Sequence, residues 1–316
     1  MRIADRTYHS LSPYLVALRP HQWTKNIIVF AAPLFGFSIS LSTLVNSLFA
    51  FILFCCLSSS FYLINDIADV KSDRLHPVKR HRPIAAGLVS LPVAIAMAAF
   101  LLSVSLGVGF SHKPMLGLTL LLYAVLQVAY NFKLKQVVIV DVILIAIGFV
   151  LRAYAGAIAT SIVLSSWFVL CTGMLALFLA TEKRKAELRM LAVTGGKTRA
   201  VLQRYSLSLL SRMESTVVTG SIMCYALWSF GPTLNGASTA WMLLTIPFVL
   251  YGIFRYQLLS DPAEIARQTQ QTGEQSARTE RPSEILLRDM PILFTVISWT
   301  LTVFVILWLE QQGVIG

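Results

Sequence analysis

Nine long apolar stretches limit what this chain of 316 residues can fold into. A helix needs roughly 20 apolar residues to cross a hydrocarbon core of about 30 Å, and several of the stretches approach that length. Apolar residues make up 56% of the chain and charged residues only 13%, which leaves too little polar surface for a water-soluble globule. We therefore predict an all-α polytopic membrane protein with its helices in one bundle. The nine predicted spans are residues 27–39, 44–64, 92–110, 115–130, 137–159, 163–181, 215–230, 239–259 and 290–309.

The Lys and Arg residues are unevenly distributed between the connections of these spans. Nearly all of them lie before the first span or in alternate connections, whereas the opposite connections contain only Lys113. Because cytoplasmic loops carry an excess of Lys and Arg, the N-terminus is predicted to be cytoplasmic. The same rule explains the net charge of +11 without any binding of nucleic acid.

Three of the predicted cytoplasmic connections are long, and the opposite connections are short turns with little room for chemistry. We expect a single domain over residues 1–316, with the long connections 65–91, 182–214 and 260–289 covering the active site. Within the third, residues 267–284 are rich in Gln, Thr, Glu and Arg, which predicts a flexible or only partly helical segment.

An acidic segment follows the second predicted span directly. Asp66, Asp69 and Asp73 are spaced i, i+3 and i+7, so they share one face if the helix continues through them. Like charges that lie close together repel unless a cation sits among them, and Mg²⁺ typically takes one or two carboxylates together with phosphates and water. The alternative is a solvated acidic helix end. We predict that Asn65, Asp66, Asp69 and Asp73 hold Mg²⁺ and that the three aspartates are catalytic.

Basic residues come immediately after the acidic segment. Arg74, Lys79 and Arg82 suit a phosphate or pyrophosphate ligand, because Arg and Lys bind such anions through charge-assisted hydrogen bonds. The bias of cytoplasmic loops toward positive charge would also place basic residues here, whatever their function.

Two charged residues, Asp141 and Arg152, fall inside the fifth predicted span. They are about three helical turns and roughly 16 Å apart, so we expect them not to pair with each other. A charge at membrane depth is costly and usually lies in an interior, wetted or paired position, so each needs another partner. The alternative for Arg152 is that its side chain extends to the far interface.

The segment 65–73 reads Asn-Asp-x-x-Asp-x-x-x-Asp and resembles the first motif of the intramembrane prenyltransferases typified by the 4-hydroxybenzoate polyprenyltransferases. That resemblance implies an all-helical fold and a cytoplasmic site at which Mg²⁺ helps to bind an anionic prenyl lipid. Typical members carry a second acidic motif, Asp-x-x-x-Asp, after the sixth span. Here residues 181–188 read Thr-Glu-Lys-Arg-Lys-Ala-Glu-Leu, so this chain departs from the pattern. Cationic side chains at that place would attract anions directly.

The departure is similar to one branch, the decaprenyl-phosphate phosphoribosyltransferases, which resemble this chain also in segments 18–26, 76–85, 130–135, 148–153 and 183–188. The branch implies transfer of 5-phosphoribose from phosphoribosyl pyrophosphate to a polyprenyl phosphate, such as decaprenyl or undecaprenyl phosphate. Pyrophosphate would be released, and the product would serve the synthesis of cell-envelope arabinose or other glycans. It also implies Mg²⁺ as cofactor, a bacterial inner membrane and a homotrimer. The substrate-binding residues expected are Gln22, Lys25, Asn65, Arg74, Lys79, Arg82, Tyr130, Lys133, Lys135, Asp141, Arg152, Lys183, Arg184 and Glu187.

Two other functions remain open from the sequence. An aromatic polyprenyltransferase, acting on a quinone or haem precursor, would be expected to carry the second acidic motif that is missing here. A transporter of an anionic metabolite would also contain buried charges and broken helices. Against transport, the polar residues cluster at one membrane face and no inverted repeat is visible.

Overall fold

The computed structural model describes residues 12–35, 40–76, 78–194, 200–234, 236–272 and 289–315. In these ranges the regular structure is helical and no strand occurs, which confirms the all-α prediction. The α-helices are α1 (Pro13–Ala17), α2 (Ala31–Phe35), α3 (Leu41–Ala68), α4 (Val70–Leu75), α5 (Leu91–His112), α6 (Pro114–Phe132), α7 (Val140–Thr160), α8 (Ser166–Thr194), α9 (Leu207–Ser229), α10 (Ile246–Leu259), α11 (Pro262–Thr272) and α12 (Met290–Gln311). Segments of 3₁₀ helix are Pro20–Phe30, Lys79–His81, Leu134–Gln136, Ala200–Arg204, Gly231–Leu234 and Ala240–Thr245.

Seven helical segments among the described residues are long and apolar enough to cross a membrane. They are α3, α5, α6, α7, α8 as far as Leu191, the combined segment Ala240–Leu259, and α12. The predicted number of nine is therefore not confirmed. The first predicted span is broken between a 3₁₀ segment and the short α2, and its residues 36–39 lie outside the described residues. The seventh corresponds to α9, which is long but less apolar because it contains Arg212, Glu214 and several Ser and Thr residues.

The long connection predicted over residues 182–214 contains regular helical structure. Helix α8 continues to Thr194 and α9 begins at Leu207, so the basic segment after the sixth span is helical. Its Glu, Lys, Arg, Ala and Leu residues are strong helix formers, and they extend the helix beyond its apolar part. The connection 260–289 likewise contains α11, and the part of the predicted flexible segment after Thr272 lies outside the described residues.

The chain forms two compact units, and the segments of each are separated along the sequence. The first unit comprises the described parts of Met1–Ala31, Ser40–Asn131 and Leu151–Ser161. The second comprises the described parts of Ala32–Ile39, Phe132–Val150 and Ile162–Gly316. Inside the first unit, α3 packs against α5 and against the 3₁₀ segment Pro20–Phe30. Inside the second, α8 packs against α9, and α10 packs against α12.

Gly156 lies where α7 meets the 3₁₀ segment Pro20–Phe30 in the first unit. A Cβ atom added at this glycine would lie 1.9 Å from the main-chain oxygen of Val29, a distance no real Cβ can adopt. Only glycine, which has no side chain, permits the two backbones to approach so closely. The position of the 3₁₀ segment therefore depends on this residue.

Lys113 fixes the end of α7 in the first unit. Its ammonium donates hydrogen bonds to the main-chain oxygens of Ile158 and Ala159, both at 2.9 Å, and to Ser161 Oγ at 2.8 Å. The last carbonyls of a helix lack intrahelical partners and favour a positive charge. We expect Lys113→Met to lower the stability by about 1.5–3 kcal/mol, measured as thermal unfolding in detergent. Lys113→Arg should retain most of this stability, and equal losses in both variants would contradict the capping role.

Candidate active site

The acidic segment lies at a break between two helices of the first unit. Helix α3 ends at Ala68, Asp69 follows with φ −91° and ψ 3°, and α4 begins at Val70. The three aspartates therefore do not share the face of one continuous helix, which corrects the expectation from their spacing. Asp66 and Asp73 are buried, with 4% and 2% of their surfaces exposed, whereas Asp69 is exposed. The break thus separates the aspartates into one exposed carboxylate and two buried ones.

Two arginines neutralise the buried carboxylates. Arg82 Nη1 lies 3.0 Å from Asp66 Oδ1 and 2.6 Å from Asp73 Oδ2. Arg19 Nη2 lies 2.5 Å from the same oxygen of Asp66. One guanidinium nitrogen is thus shared by two carboxylates that are seven residues apart. This arrangement brings Asp66 and Asp73 together around a single cation.

The predicted Mg²⁺ ligands fit the metal in part. No group of three or more His, Cys, Asp or Glu side chains among the described residues is placed to hold a metal ion. Asp66 and Asp73 nevertheless converge on one cation, and the guanidinium of Arg82 stands in that position. Mg²⁺ needs only one or two carboxylates when phosphate oxygens and water complete its shell. This donor pair is therefore suitable for Mg²⁺ bound together with a phosphorylated substrate.

The other basic residues of this loop are placed toward solvent. Arg74 is exposed, and its Nε donates to the main-chain oxygen of Ala85 at 3.3 Å. Lys79 is exposed at the start of a 3₁₀ turn. Both side chains are therefore accessible to an anionic ligand.

The 3₁₀ segment Pro20–Phe30 runs along α3 and contacts it through polar side chains at successive turns. These contacts are Gln22 Oε1 with Tyr62 OH at 3.5 Å, Trp23 Nε1 with Ser59 Oγ at 3.0 Å, and Asn26 Nδ2 with Ser58 Oγ at 3.4 Å. The segment thus places Gln22, Trp23 and Asn26 against α3, in contact with residues that precede Asp66 in this helix.

Arg152 is buried in the same unit and has partners of its own. Its Nε donates to Asn26 Oδ1 at 2.7 Å and its Nη2 donates to Tyr123 OH at 2.7 Å. The guanidinium also stacks over the ring of Tyr123, with 4.8 Å between its central carbon and the ring centroid. Arg152 is 6% exposed, so its side chain turns inward and does not extend to the far interface. The expectation of a partner other than Asp141 is confirmed.

Lys25 is half-buried near these arginines, and its ammonium has no hydrogen bond or ion pair with the described part of the chain. Burial is the largest cause that lowers the pKa of Lys25 to about 8, and the positive charges of Arg152 and Arg19 contribute to the same shift. An ammonium that lacks a counter-charge and has cationic neighbours will attract an anion. Lys25 is therefore well suited to bind a phosphate group.

A pH profile tests this role of Lys25. Because its pKa is lowered to about 8, the ammonium is charged below that pH and loses its proton above it. We expect KM for a phosphate substrate to rise about fivefold from pH 8 to pH 9 in the wild-type protein, because the charged fraction of Lys25 falls by that factor. Lys25→Arg, which stays charged, should show no such rise, and the same profile in both proteins would exclude Lys25 as the titrating group.

The second unit contains a separate ionic cluster around Asp141. Asp141 Oδ2 accepts a hydrogen bond from Arg184 Nε at 2.8 Å, and its Oδ1 accepts one from Tyr205 OH at 2.7 Å. Asp141 and Arg184 are fully buried. Arg184 also pairs with Glu187 on the same helix, and Lys183 Nζ lies 3.9 Å from that carboxylate. The expectation that Asp141 has a partner other than Arg152 is confirmed.

The remaining predicted residues lie at the ends of α6 and the turn that follows it. Tyr130 is half-buried near the end of α6. Lys133 is exposed and Lys135 is half-buried, and both belong to the turn around Leu134–Gln136. The structure thus brings Asp66, Asp73, Arg82 and Arg19 together within the first unit, where Lys25 lies near Arg19 and Arg152. The Asp141 cluster lies within the second unit.

Sequence reasoning missed Arg19, Asn26, Tyr123 and Tyr205, which belong to these clusters. Arg19 and Asn26 lie in segment 18–26, whose resemblance to the phosphoribosyltransferases is a signal that could have identified them. Tyr205 lies outside every such segment. Burial raises the pKa of Tyr205, and its hydrogen bond to Asp141 raises it further, so this tyrosine stays neutral and keeps its proton for Asp141.

Residues 25–272 match the model of the UbiA prenyltransferase family, and this range contains both clusters except Arg19 and Gln22. The chain belongs to the UbiA prenyltransferase family. Membership confirms the resemblance inferred from the acidic motif. Together with the apolar helices, it identifies the chain as an integral multi-pass membrane protein.

Relatives and solved structures extend the similarity over nearly the whole chain. A decaprenyl-phosphate phosphoribosyltransferase from Mycolicibacterium smegmatis is 36% identical over 306 residues, which cover 93% of this chain and 92% of the relative. The enzyme of the same name from Corynebacterium glutamicum is 35% identical, covering 90% of this chain and 83% of its own. A UbiA homolog from Archaeoglobus fulgidus, solved bound to DMAPP and Mg²⁺, has a TM-score of 0.64 and 19% identity, covering 93% and 98% of the two chains. The solved structure supports the fold alone. The two relatives are similar enough over most of their length to bear on function as well.

Proposed function

We propose that this protein transfers 5-phosphoribose from phosphoribosyl pyrophosphate to a polyprenyl phosphate and releases pyrophosphate. The observation that carries the proposal is the identity of 36% with a decaprenyl-phosphate phosphoribosyltransferase across 93% of this chain. Similarity of this extent includes the basic segment after Thr181, where the chain lacks the acidic Asp-x-x-x-Asp pattern. The proposal therefore rests on the whole chain as well as on the first motif.

The acidic segment is the proposed site of the pyrophosphate group. Asp66 and Asp73 would hold Mg²⁺, with Asn65 and the exposed Asp69 as the further ligands predicted from the sequence. The metal would neutralise the charge that develops on the leaving pyrophosphate. Arg82 now pairs with both carboxylates, and its guanidinium would be available to bind a phosphate if Mg²⁺ neutralised them instead.

The reaction breaks the bond between the anomeric carbon and a pyrophosphate oxygen and forms one to an oxygen of the lipid phosphate. Because the lipid phosphate is already an anion, the protein needs no strong general base. Its contribution is to position the two substrates and to stabilise the charge that builds up on pyrophosphate. Arg19, Arg74 and Lys79 supply positive charge close to the acidic segment.

The other predicted residues are assigned roles according to their surroundings. Lys25 would bind a phosphate group within the first unit, and Asn26 and Tyr123 would keep Arg152 oriented there. In the second unit, Asp141 and Arg184 are fully buried against each other, so we assign them a supporting role. The residues whose assignment to substrate still rests on the resemblance are Gln22, Tyr130, Lys133, Lys135, Lys183 and Glu187.

The setting of the reaction is also part of the proposal. Both the distribution of Lys and Arg and the cytosolic origin of a sugar phosphate donor support an active site on the cytoplasmic face of a bacterial inner membrane. The resemblance further supports a homotrimer and a product used in building the cell envelope.

A direct assay tests the proposed function. Membranes containing the protein are incubated with Mg²⁺, polyprenyl phosphate and phosphoribosyl pyrophosphate labelled in the ribose, and the lipid is then extracted. We expect label in the lipid fraction, dependent on both lipid and metal. A parallel incubation uses a labelled prenyl diphosphate and 4-hydroxybenzoate. Transfer in that incubation alone would replace the proposal with an aromatic prenyltransferase.

A further inference from the structure

Ile139 has an unusual backbone conformation in the second unit. Its φ is +72°, in the left-handed region, which a β-branched residue rarely adopts and which costs about 1–2 kcal/mol. Such strain persists only where the surroundings fix it, and it collects at functional sites. Ile139 follows the turn that contains Lys133 and Lys135 and precedes the first residue of α7. The strain is therefore located next to two residues proposed to bind substrate.

The hydroxyl of Tyr205 holds this strained backbone. It accepts a hydrogen bond from the amide of Ile139 at 2.7 Å and donates its own hydrogen to Asp141 Oδ1 at 2.7 Å. The other carboxylate oxygen of Asp141 accepts from Arg184. Because Asp141 and Arg184 are fully buried, they form a fixed anchor. Tyr205 thus connects the strained residue to a buried ion pair through one hydroxyl group.

Apolar packing supports the same connection. The 3₁₀ turns Leu134–Gln136 and Ala200–Arg204 are in contact with each other. Val201, Leu202 and Tyr205 pack in one buried cluster with Val142 of α7. The turn that contains the two lysines is therefore backed by a packed segment that leads directly to Tyr205.

We propose that Tyr205 is a positioning residue, which fixes the backbone at Ile139 and thereby sets the place of Lys133 and Lys135 for a phosphate group of the substrate. The support itself follows from the contacts within the second unit. Only the nature of the anion rests on the proposed function.

Tyr205→Phe tests the proposal, because it removes the hydroxyl and leaves the ring. The matched control is Tyr256→Phe, since Tyr256 is also buried in this unit but its hydroxyl has no hydrogen-bond partner among the described residues. We expect hydrogen exchange in residues 133–139 to accelerate about tenfold in Tyr205→Phe, while exchange in α9 and α10 stays unchanged. KM for either phosphoribosyl pyrophosphate or polyprenyl phosphate should rise about tenfold in Tyr205→Phe, and kcat should stay within about twofold of the wild-type value. Tyr256→Phe should leave both readouts unchanged.

A second substitution separates positioning from a general loss of structure. Ile139→Gly removes the penalty of the left-handed conformation. If Tyr205 acts by holding that conformation, the two substitutions should not be additive. The increase in ln KM in the double variant Tyr205→Phe/Ile139→Gly should then be smaller than the sum of the increases in the two single variants. Additive losses, unchanged exchange in residues 133–139, or faster exchange throughout the second unit would each overturn the proposal. Because hydrogen exchange requires no substrate, absence of phosphoribosyl transfer in the wild-type protein would refute the proposed function and leave this test in place.

Discussion

Asp69→Asn is expected to reduce phosphoribosyl transfer at least about a hundredfold while leaving the thermal stability unchanged. Asp69 is exposed and its side chain makes no hydrogen bond or ion pair with the described residues, so the fold does not depend on its charge. A metal site would depend on it, because an amide is a much weaker ligand for Mg²⁺ than a carboxylate. The measurements are transfer of labelled ribose into lipid at increasing Mg²⁺ and the unfolding temperature in detergent.

The comparison with Asp66 makes this prediction sharper. Asp66 is buried against Arg19 and Arg82, so Asp66→Asn should lose both activity and stability. Lys71→Gln is the control for an exposed charge in α4, the short helix that follows Asp69, and should retain activity. Normal transfer in Asp69→Asn at all Mg²⁺ concentrations would remove this residue from the proposed metal site.

Arg82→Ala is expected to destabilise the protein by about 3 kcal/mol in the absence of Mg²⁺, because it leaves Asp73 buried without its cation. Asp66 keeps Arg19 as a partner. If the two carboxylates are suited to a metal, Mg²⁺ should now occupy the position of the guanidinium. Its addition should raise the unfolding temperature of Arg82→Ala by several degrees, and more than that of wild type.

Arg80→Ala is the matched control for this experiment. Arg80 is exposed, and the one side-chain contact recorded for it is a hydrogen bond to His81 at 3.4 Å. Its removal should change neither the stability nor the response to Mg²⁺. If Mg²⁺ stabilises Arg82→Ala no more than Arg80→Ala, the carboxylate pair does not bind the metal.

Composition and the length of the apolar stretches were sufficient to predict the fold class. The apolar stretches predicted most helices because burial in lipid requires their length and composition. Apolarity was a poor guide to where helices end. Helix α8 continues beyond its apolar part through a basic segment, although crossing the membrane does not require that extension. Helix propensity decides that continuation, and it acts independently of hydropathy. Pro33 and Gly36 in the first predicted span already indicated a bent helix, and the described part of that span is divided between a 3₁₀ segment and α2.

The candidate site was predicted in its residues but not in its contacts. The spacing of the three aspartates indicated a common face, yet one residue outside the helical conformation, Asp69, separates them. No local pattern could show that Arg82 would pair with both Asp66 and Asp73, because such pairing depends on how the loop folds back. Tyr205 was missed for the same reason, since it meets Asp141 from 64 residues away in the sequence.

The close approach at Gly156 restricts how this chain can vary. Arg152 lies one turn before Gly156 on α7, and its hydrogen bond to Asn26 spans the same two backbones that meet at Val29. Any larger residue at position 156 would separate those backbones and draw Asn26 away from the guanidinium. A library randomised at this codon and selected for activity should therefore return glycine alone.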